Sequence, residues 1–156
     1  MDDEIPDLSL GYYRGPLDDV LAALHQARFQ NAVLELGGDP SDELHAFADE
    51  LTPDDPYLQE KNRRARYGTR RIGPLVLGVG PLYLPIREET FPRLLEMSDR
   101  HAEPEIAIHL RVLDPEGPLV DAPDVGDNEI WVSPRLPKES IEAIRAVLGD
   151  RLADPT

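Results

Sequence analysis

Proline opens almost every helical stretch of this chain, and that placement limits what the chain can fold into. Pro16, Pro40, Pro56 and Pro137 stand just ahead of apolar-periodic segments, and Pro92 falls inside one. A proline is tolerated in the first helical turn, where its missing N–H would have had no partner, and it breaks a helix further in. The chain is therefore cut into short helices with other structure between them. Its sixteen prolines in 156 residues are about twice the usual share, and they stiffen the fold rather than mark a linker.

Between these punctuation marks the helical stripes are legible. After Pro16, the residues Leu17, Val20, Leu21, Leu24 and Ala27 share one face, and Asp18 and Asp19 suit the positive end of the helix dipole. "DPSDELHAFADEL", residues 39–51, predicts a helix with Asp39 as N-cap, Pro40 at its first position and a stripe of Leu44, Phe47, Ala48 and Leu51. "DPYLQEKNRRARYG" repeats the device: Asp55 caps, Pro56 opens and Gly68 closes. "EETFPRLLEMSDR", residues 88–100, is a helix if Pro92 lies in its first turn. "LPKESIEAIRAVLG" opens at Pro137 and closes at Gly149, burying Ile141, Ile144, Val147 and Leu148.

Period-two patterns supply the strands. Residues 7–16 form one. Residues 32–36 form another, with Ala32, Leu34 and Leu36 on one side and Gly37 and Gly38 closing it; a single helix capped by those glycines is the competing reading. "GPLVLGVGPLYLPI" predicts one bent strand or two with a turn near Gly80 and Pro81, its glycines Gly78 and Gly80 admitting a close neighbour. "EIAIHLRVL" alternates Ile106, Ile108, Leu110 and Val112 against Glu105, Ala107, His109 and Arg111. "EIWVS" returns with Ile130 and Val132 inward and Glu129, Trp131 and Ser133 outward. The stretch between them, "DPEGPLVDAPDVGDNE", carries Asp114, Glu116, Asp121, Asp124, Asp127 and Glu129 and is expected to be an acidic loop.

These elements predict an α+β fold: a single domain over residues 1–152 with a short tail at 153–156. The expected sheet is antiparallel or mixed, of about four to five strands, with a hairpin of 105–113 and 129–133 and about five helices mainly on one face. A doubly wound α/β sheet is the alternative.

Charge narrows the functional classes. The formal net charge is −15. Residues 1–60 carry −13, residues 72–156 carry −8, and residues 61–71 carry +6 through Lys61, Arg63, Arg64, Arg66, Arg70 and Arg71. So acidic a surface repels phosphate backbones and anionic lipid and attracts basic proteins. The absence of cysteine excludes a disulfide scaffold, a thiol nucleophile and a cysteine-ligated metal. No signal peptide is evident at the N-terminus, and the longest apolar run, residues 74–86, is far short of the ~20 residues of a membrane helix. A cytoplasmic protein without membrane contact is expected.

No catalytic residue, metal or cofactor is assigned. His25, His45, His101 and His109 have no ligand spacing, Asp121, Asp124 and Asp127 miss the alternate-position pattern of a calcium loop, and "SDRH" at 98–101 reads as a helix end. The candidate partner-binding face is the outer side of the hairpin, with Glu105, His109, Arg111 and Trp131; Trp and Arg are the types most enriched at binding hot spots. The basic segment could pair internally, as Glu60 with Arg64, or meet a partner. The leading expectation is a non-enzymatic module that binds a basic protein, resembling immunity or antitoxin proteins in size and charge only. Nucleic-acid binding through residues 61–71 is one alternative. A small enzyme with Glu105, His109 and Arg111 on the sheet is the other.

Overall fold

The computed structural model describes residues 7–67, 69–72, 75–78 and 81–153, with the side chains of 66–80 and 104 outside the description. The chain runs β1 (Leu8–Arg14), α1 (Leu17–Ala27), β2 (Val33–Gly37), α2 (Asp42–Leu51), α3 (Pro56–Tyr67), β3 (Thr69–Ile72), β4 (Leu75–Gly78), β5 (Leu82–Pro85), α4 (Thr90–Ser98), β6 (His109–Asp114), β7 (Gly117–Ala122), β8 (Asp127–Val132), α5 (Lys138–Leu148) and β9 (Leu152–Ala153). Among the described residues the class is α+β with five helices. The main sheet has seven strands in the order β5-β2-β6-β7-β8-β1-β9, and every pairing is antiparallel. That excludes the doubly wound alternative and exceeds the expected four to five strands. A separate two-stranded ribbon joins β3 to β4.

One face of the sheet is apolar by alternation. Leu34 and Leu36, Leu82 and Leu84, Leu110 and Val112, Val120 and Ala122, and Ile130 and Val132 are all buried there. The stripes of α1, α2, α4 and α5 join them in one core. Each fully buried leucine contributes about 1.5–3 kcal/mol. Residues 33–37 are a strand, so the competing helix falls: Glu35, between two buried leucines, would break a helical stripe but suits a two-sided strand.

The helix starts follow the prolines with one shift. Pro16 precedes α1, and the carboxylate of Glu103 accepts the Leu17 N–H at 2.9 Å in place of a local cap. Pro56 opens α3, and Asp55 caps it through the Leu58 N–H at 3.0 Å. Pro92 lies in the first turn of α4. In α2, however, the N-cap is Ser41, whose hydroxyl accepts the Leu44 N–H at 3.1 Å; Asp39 lies outside the helix. Along α5, Ile144 and Leu148 are buried but Val147 is 40% exposed, because the buried face centres on Ser140, Ile144 and Leu148.

Three expectations about the sheet fail, each for a local reason. The strand expected from Glu105 starts only at His109. Glu103, Pro104 and Glu105 form a 3-10 turn whose carbonyl at Glu103 accepts the N–H of Ile106 and Ala107, so Ile106 is buried and Ile108 is 47% exposed. The expected acidic loop contains β7, buried along its whole length. Its proline, Pro118, is the second residue of the strand and sits beside a bulge between Val112 and Leu113 of the facing strand, where a missing N–H is tolerated. The hairpin of 105–113 with 129–133 does not form, because β7 lies between β6 and β8. The turn that feeds β7 is "DPEG": the Asp114 carboxylate accepts the N–H of Glu116 at 2.9 Å and of Gly117 at 3.1 Å, closing a tight reversal.

The apolar run of 74–86 divides between β4 in the ribbon and β5 in the main sheet. What its glycines admit lies outside the described residues. At the C-terminus, Ala153, assigned by the sequence reading to the tail, pairs with Tyr12. Gly11, at φ 116°, is required there: a Cβ would stand 2.4 Å from the Ala153 carbonyl oxygen.

Candidate functional site

The face opposite the core carries one polar row across the sheet. Register places Tyr83 of β5 beside Glu35 of β2, Glu35 beside Arg111 of β6, Arg111 beside Asp121 of β7, and Asp121 beside Trp131 of β8. Each sits between two apolar residues in sequence: "LEL", "LYL", "LRV", "VDA" and "IWV". Strand alternation sends those neighbours into the core and turns the five polar or amphipathic side chains to the other side.

Charge in the row is nearly matched. Arg111 donates to Glu35 through Nε at 2.9 Å and Nη2 at 3.3 Å, a fork-to-fork arrangement. Both partners are largely sheltered, with side chains 17% and 11% exposed. Burial works against the Arg111 cation, but the hydrogen bonds to Glu35 and the fields of Glu35 and Asp121 outweigh it and hold its pKa above the ordinary value. Burial and the neighbouring Glu35 carboxylate push the Tyr83 phenol up to about 12, so it stays neutral.

Asp121 is the exception in the row. Its side chain is only 8% exposed, yet its Oδ1 atom is buried without a hydrogen-bond partner. His109 Nε2 stands 3.8 Å from it, too far for a hydrogen bond. Burial pushes the Asp121 carboxyl above its usual range, against the pull of His109 and Arg111.

Of the four residues expected at the partner face, His109, Arg111 and Trp131 share this side of the sheet, and Trp131 is half-buried. Glu105 does not join them. It lies in the 3-10 turn and faces His101, whose Nδ1 is 3.1 Å from Glu105 and Nε2 2.8 Å from Glu43. Two carboxylates on two ring nitrogens favour the imidazolium, and Glu43 and then Glu105 raise the His101 pKa.

The basic segment is partly spent within the fold. Glu60 pairs with Arg63 at 3.0 Å and Arg64 at 3.5 Å, so the internal pairing expected of Arg64 is present. Lys61 lies over the rings of Tyr57 and Tyr83, 4.8 and 4.6 Å from their centroids. Arg66 lies in α3, and Arg70 and Arg71 lie in β3; their side chains are outside the described residues. The acidic residues of 114–129 find other arginines. Arg135 meets Asp114 at 2.8 Å and Glu116 at 3.0 Å, and Arg14 approaches Asp127 at 3.5 Å. Asp127 also accepts the Tyr12 hydroxyl at 2.6 Å, and Glu129 that of Ser9 at 3.2 Å. Asp124 takes a positive φ of 51° in the turn between β7 and β8.

At the β5 end of the row, the sheet and α3 enclose a cleft of about 630 Å³ whose walls include Glu35, Tyr57, Lys61, Tyr83, Arg111 and Asp114. Asn62, buried in α3, bolts this wall in place: its side chain donates to the Tyr83 carbonyl at 2.8 Å and accepts the Tyr83 N–H at 2.7 Å. Among the described residues no cluster of three His, Asp or Glu could hold a metal ion, and no helix is long and apolar enough to cross a membrane.

Sequence reasoning missed Glu35, Tyr83 and the buried position of Asp121. The signal was present: a polar or amphipathic residue flanked by two apolar ones, repeated in five strands. Only the register puts those five triplets side by side. Comparison with protein-family models, curated proteins and solved structures returns no match for this chain.

Proposed function

We propose that this protein is a non-enzymatic binding module that takes a basic protein partner on the polar face of its sheet. The observation that carries this reading is the orphaned Oδ1 of Asp121. A buried acceptor without a donor costs about 1–3 kcal/mol, and a donor brought by a partner would remove that cost. Arg111, the neighbour of Asp121 on β6, gives two of its N–H groups to Glu35 and makes no hydrogen bond to that oxygen. Trp131 stands beside Asp121 in the row and offers a broad contact surface. The net charge of −15 favours a cationic donor and would steer its approach.

The test is capture by the immobilised protein at low and high salt. A basic protein retained at low salt, released at high salt and lost with Asp121→Asn or Trp131→Ala supports the reading. Retention that both substitutions leave unchanged moves the interface elsewhere, and no retention at low salt ends the idea.

One observation favours a second reading, acid–base chemistry. His109, 48% exposed at its side chain, stands 3.8 Å from the orphaned carboxylate oxygen, and Arg111 is the next residue of β6 on that face. An incoming substrate could close the pair and let His109 transfer a proton. Nucleic-acid binding through residues 61–71 rests on Arg66, Arg70 and Arg71, since Arg63 and Arg64 engage Glu60.

A further inference from the structure

We propose that Tyr57 and Tyr83 form a cation cage that the chain fills with its own Lys61, and that a basic side chain of the partner enters the cleft by displacing Lys61. The proposal rests on the docking reading above and adds the chemistry of one of its contacts.

A cation within about 6 Å of an aromatic centroid is attracted by the negative face of the ring. Lys61 meets that condition on two rings at once, 4.8 and 4.6 Å from their centroids. It does so without a carboxylate: among the described residues no ion pair to Lys61 occurs. Its ammonium is therefore held by the rings rather than by an acid that would keep it there.

The cage walls differ in what they can do. Tyr83 is fixed, because both backbone groups of that residue are tied to the Asn62 side chain. Tyr57 is 68% exposed, so the cage opens to solvent on that side. The lysine stem is long and flexible and can swing out from the helix surface without moving the backbone. Once it leaves, the cleft wall keeps Glu35, Asp55 and Asp114, of which Arg111 engages Glu35 and Arg135, from beyond the wall, engages Asp114. The vacated cleft is left with one carboxylate, that of Asp55, beyond the two matched by guanidinium groups, and that excess selects a cation over an anion. In a chain of net charge −15, the approaching group it suits is a lysine or arginine of a basic partner.

The experiment uses choline as a probe and 3,3-dimethylbutan-1-ol, its uncharged carbon analogue, as control. Both are titrated into the full chain while the tyrosine ring resonances are followed by NMR. Lys61→Met should bind choline about tenfold more tightly than the unsubstituted protein, because the plug is gone. Lys61→Gln should show the same gain, the alcohol should show none, and Lys61→Met combined with Tyr83→Leu should lose it. Unchanged choline affinity in both Lys61 variants overturns the proposal, as does equal binding of choline and the alcohol. If the Lys61 variants instead weaken binding of inorganic phosphate and gain nothing for choline, the cleft is an anion site and the proposal fails. Loss of salt-sensitive partner capture with the choline gain intact would sink the docking reading alone. Unchanged choline affinity would sink the cage whatever the capture shows.

Discussion

On β6, Leu110 and Val112 point into the core while Arg111, between them, points to the opposite face. The two faces share one backbone but solve different problems. The apolar face needs only close packing, and ten buried aliphatic side chains from five strands supply its sheet layer without orienting any polar atom. The polar face must match each charge. Glu35 and Arg111 do so with two hydrogen bonds, while Asp121 leaves one oxygen unmatched. The core face maximises stability, and the polar face gives some of it up at one residue, the kind of local cost expected where a protein meets something else.

The largest test of that contrast removes a core side chain. Leu110→Ala should cost about 3 kcal/mol in a denaturant titration, the lost burial plus the cavity left behind. A loss well under 1 kcal/mol would mean that the face is not packed as described.

Breaking the matched pair should cost less. Arg111→Met strands Glu35 in a sheltered position and is expected to cost about 2 kcal/mol, below the range for a fully buried pair because the guanidinium keeps some contact with water. Adding Glu35→Gln should recover most of that loss. Without such recovery in the double-mutant cycle, the two residues are not a stabilising unit.

The smallest change should have the opposite sign. Asp121→Asn removes a buried, unmatched carboxylate and should raise stability by about 1 kcal/mol at pH 7 while weakening partner capture. The pH dependence follows from the raised pKa in the folded state. Below the unfolded value of about 3.9, the carboxyl is protonated in both states and the difference between the proteins should be small. As pH rises from there through the raised folded value, the unfolded chain releases its proton first and the unsubstituted protein loses stability relative to Asp121→Asn. Melting temperatures measured across that interval check it. A constant gap at every pH would detach the effect from titration.

How much of this was legible in advance varies along the chain. The helix starts at Pro16, Pro56 and Pro137 were, because a proline's fixed φ and missing N–H act locally. The core stripes of α1 and α2 were too, since a 3.6-residue period is contained in one segment. Residues 117–122 were not. Their acids and Pro118 resemble a loop, and burial of Asp121 depends on strands about ten residues away on either side. Glu105 was misplaced for a related reason: the alternation of "EIAIHLRVL" ignores the turn that Pro104 starts. The His109, Arg111 and Trp131 face was anticipated, but as neighbours across one hairpin rather than with Asp121 between Arg111 and Trp131.

By itself, then, the order of residues determined most of the helix starts, which side chains β2, β5 and β8 send to the core, and the excess of acid that any partner must meet. Those properties depend on neighbours within a few positions or on a sum over the chain. Only the tertiary structure decided that Tyr83, Glu35, Arg111, Asp121 and Trp131 form one row, that Lys61 fills a tyrosine pair, and that one carboxylate oxygen lacks a donor. The reason is register: a shift of one residue in any strand would turn that strand's member of the row into the core.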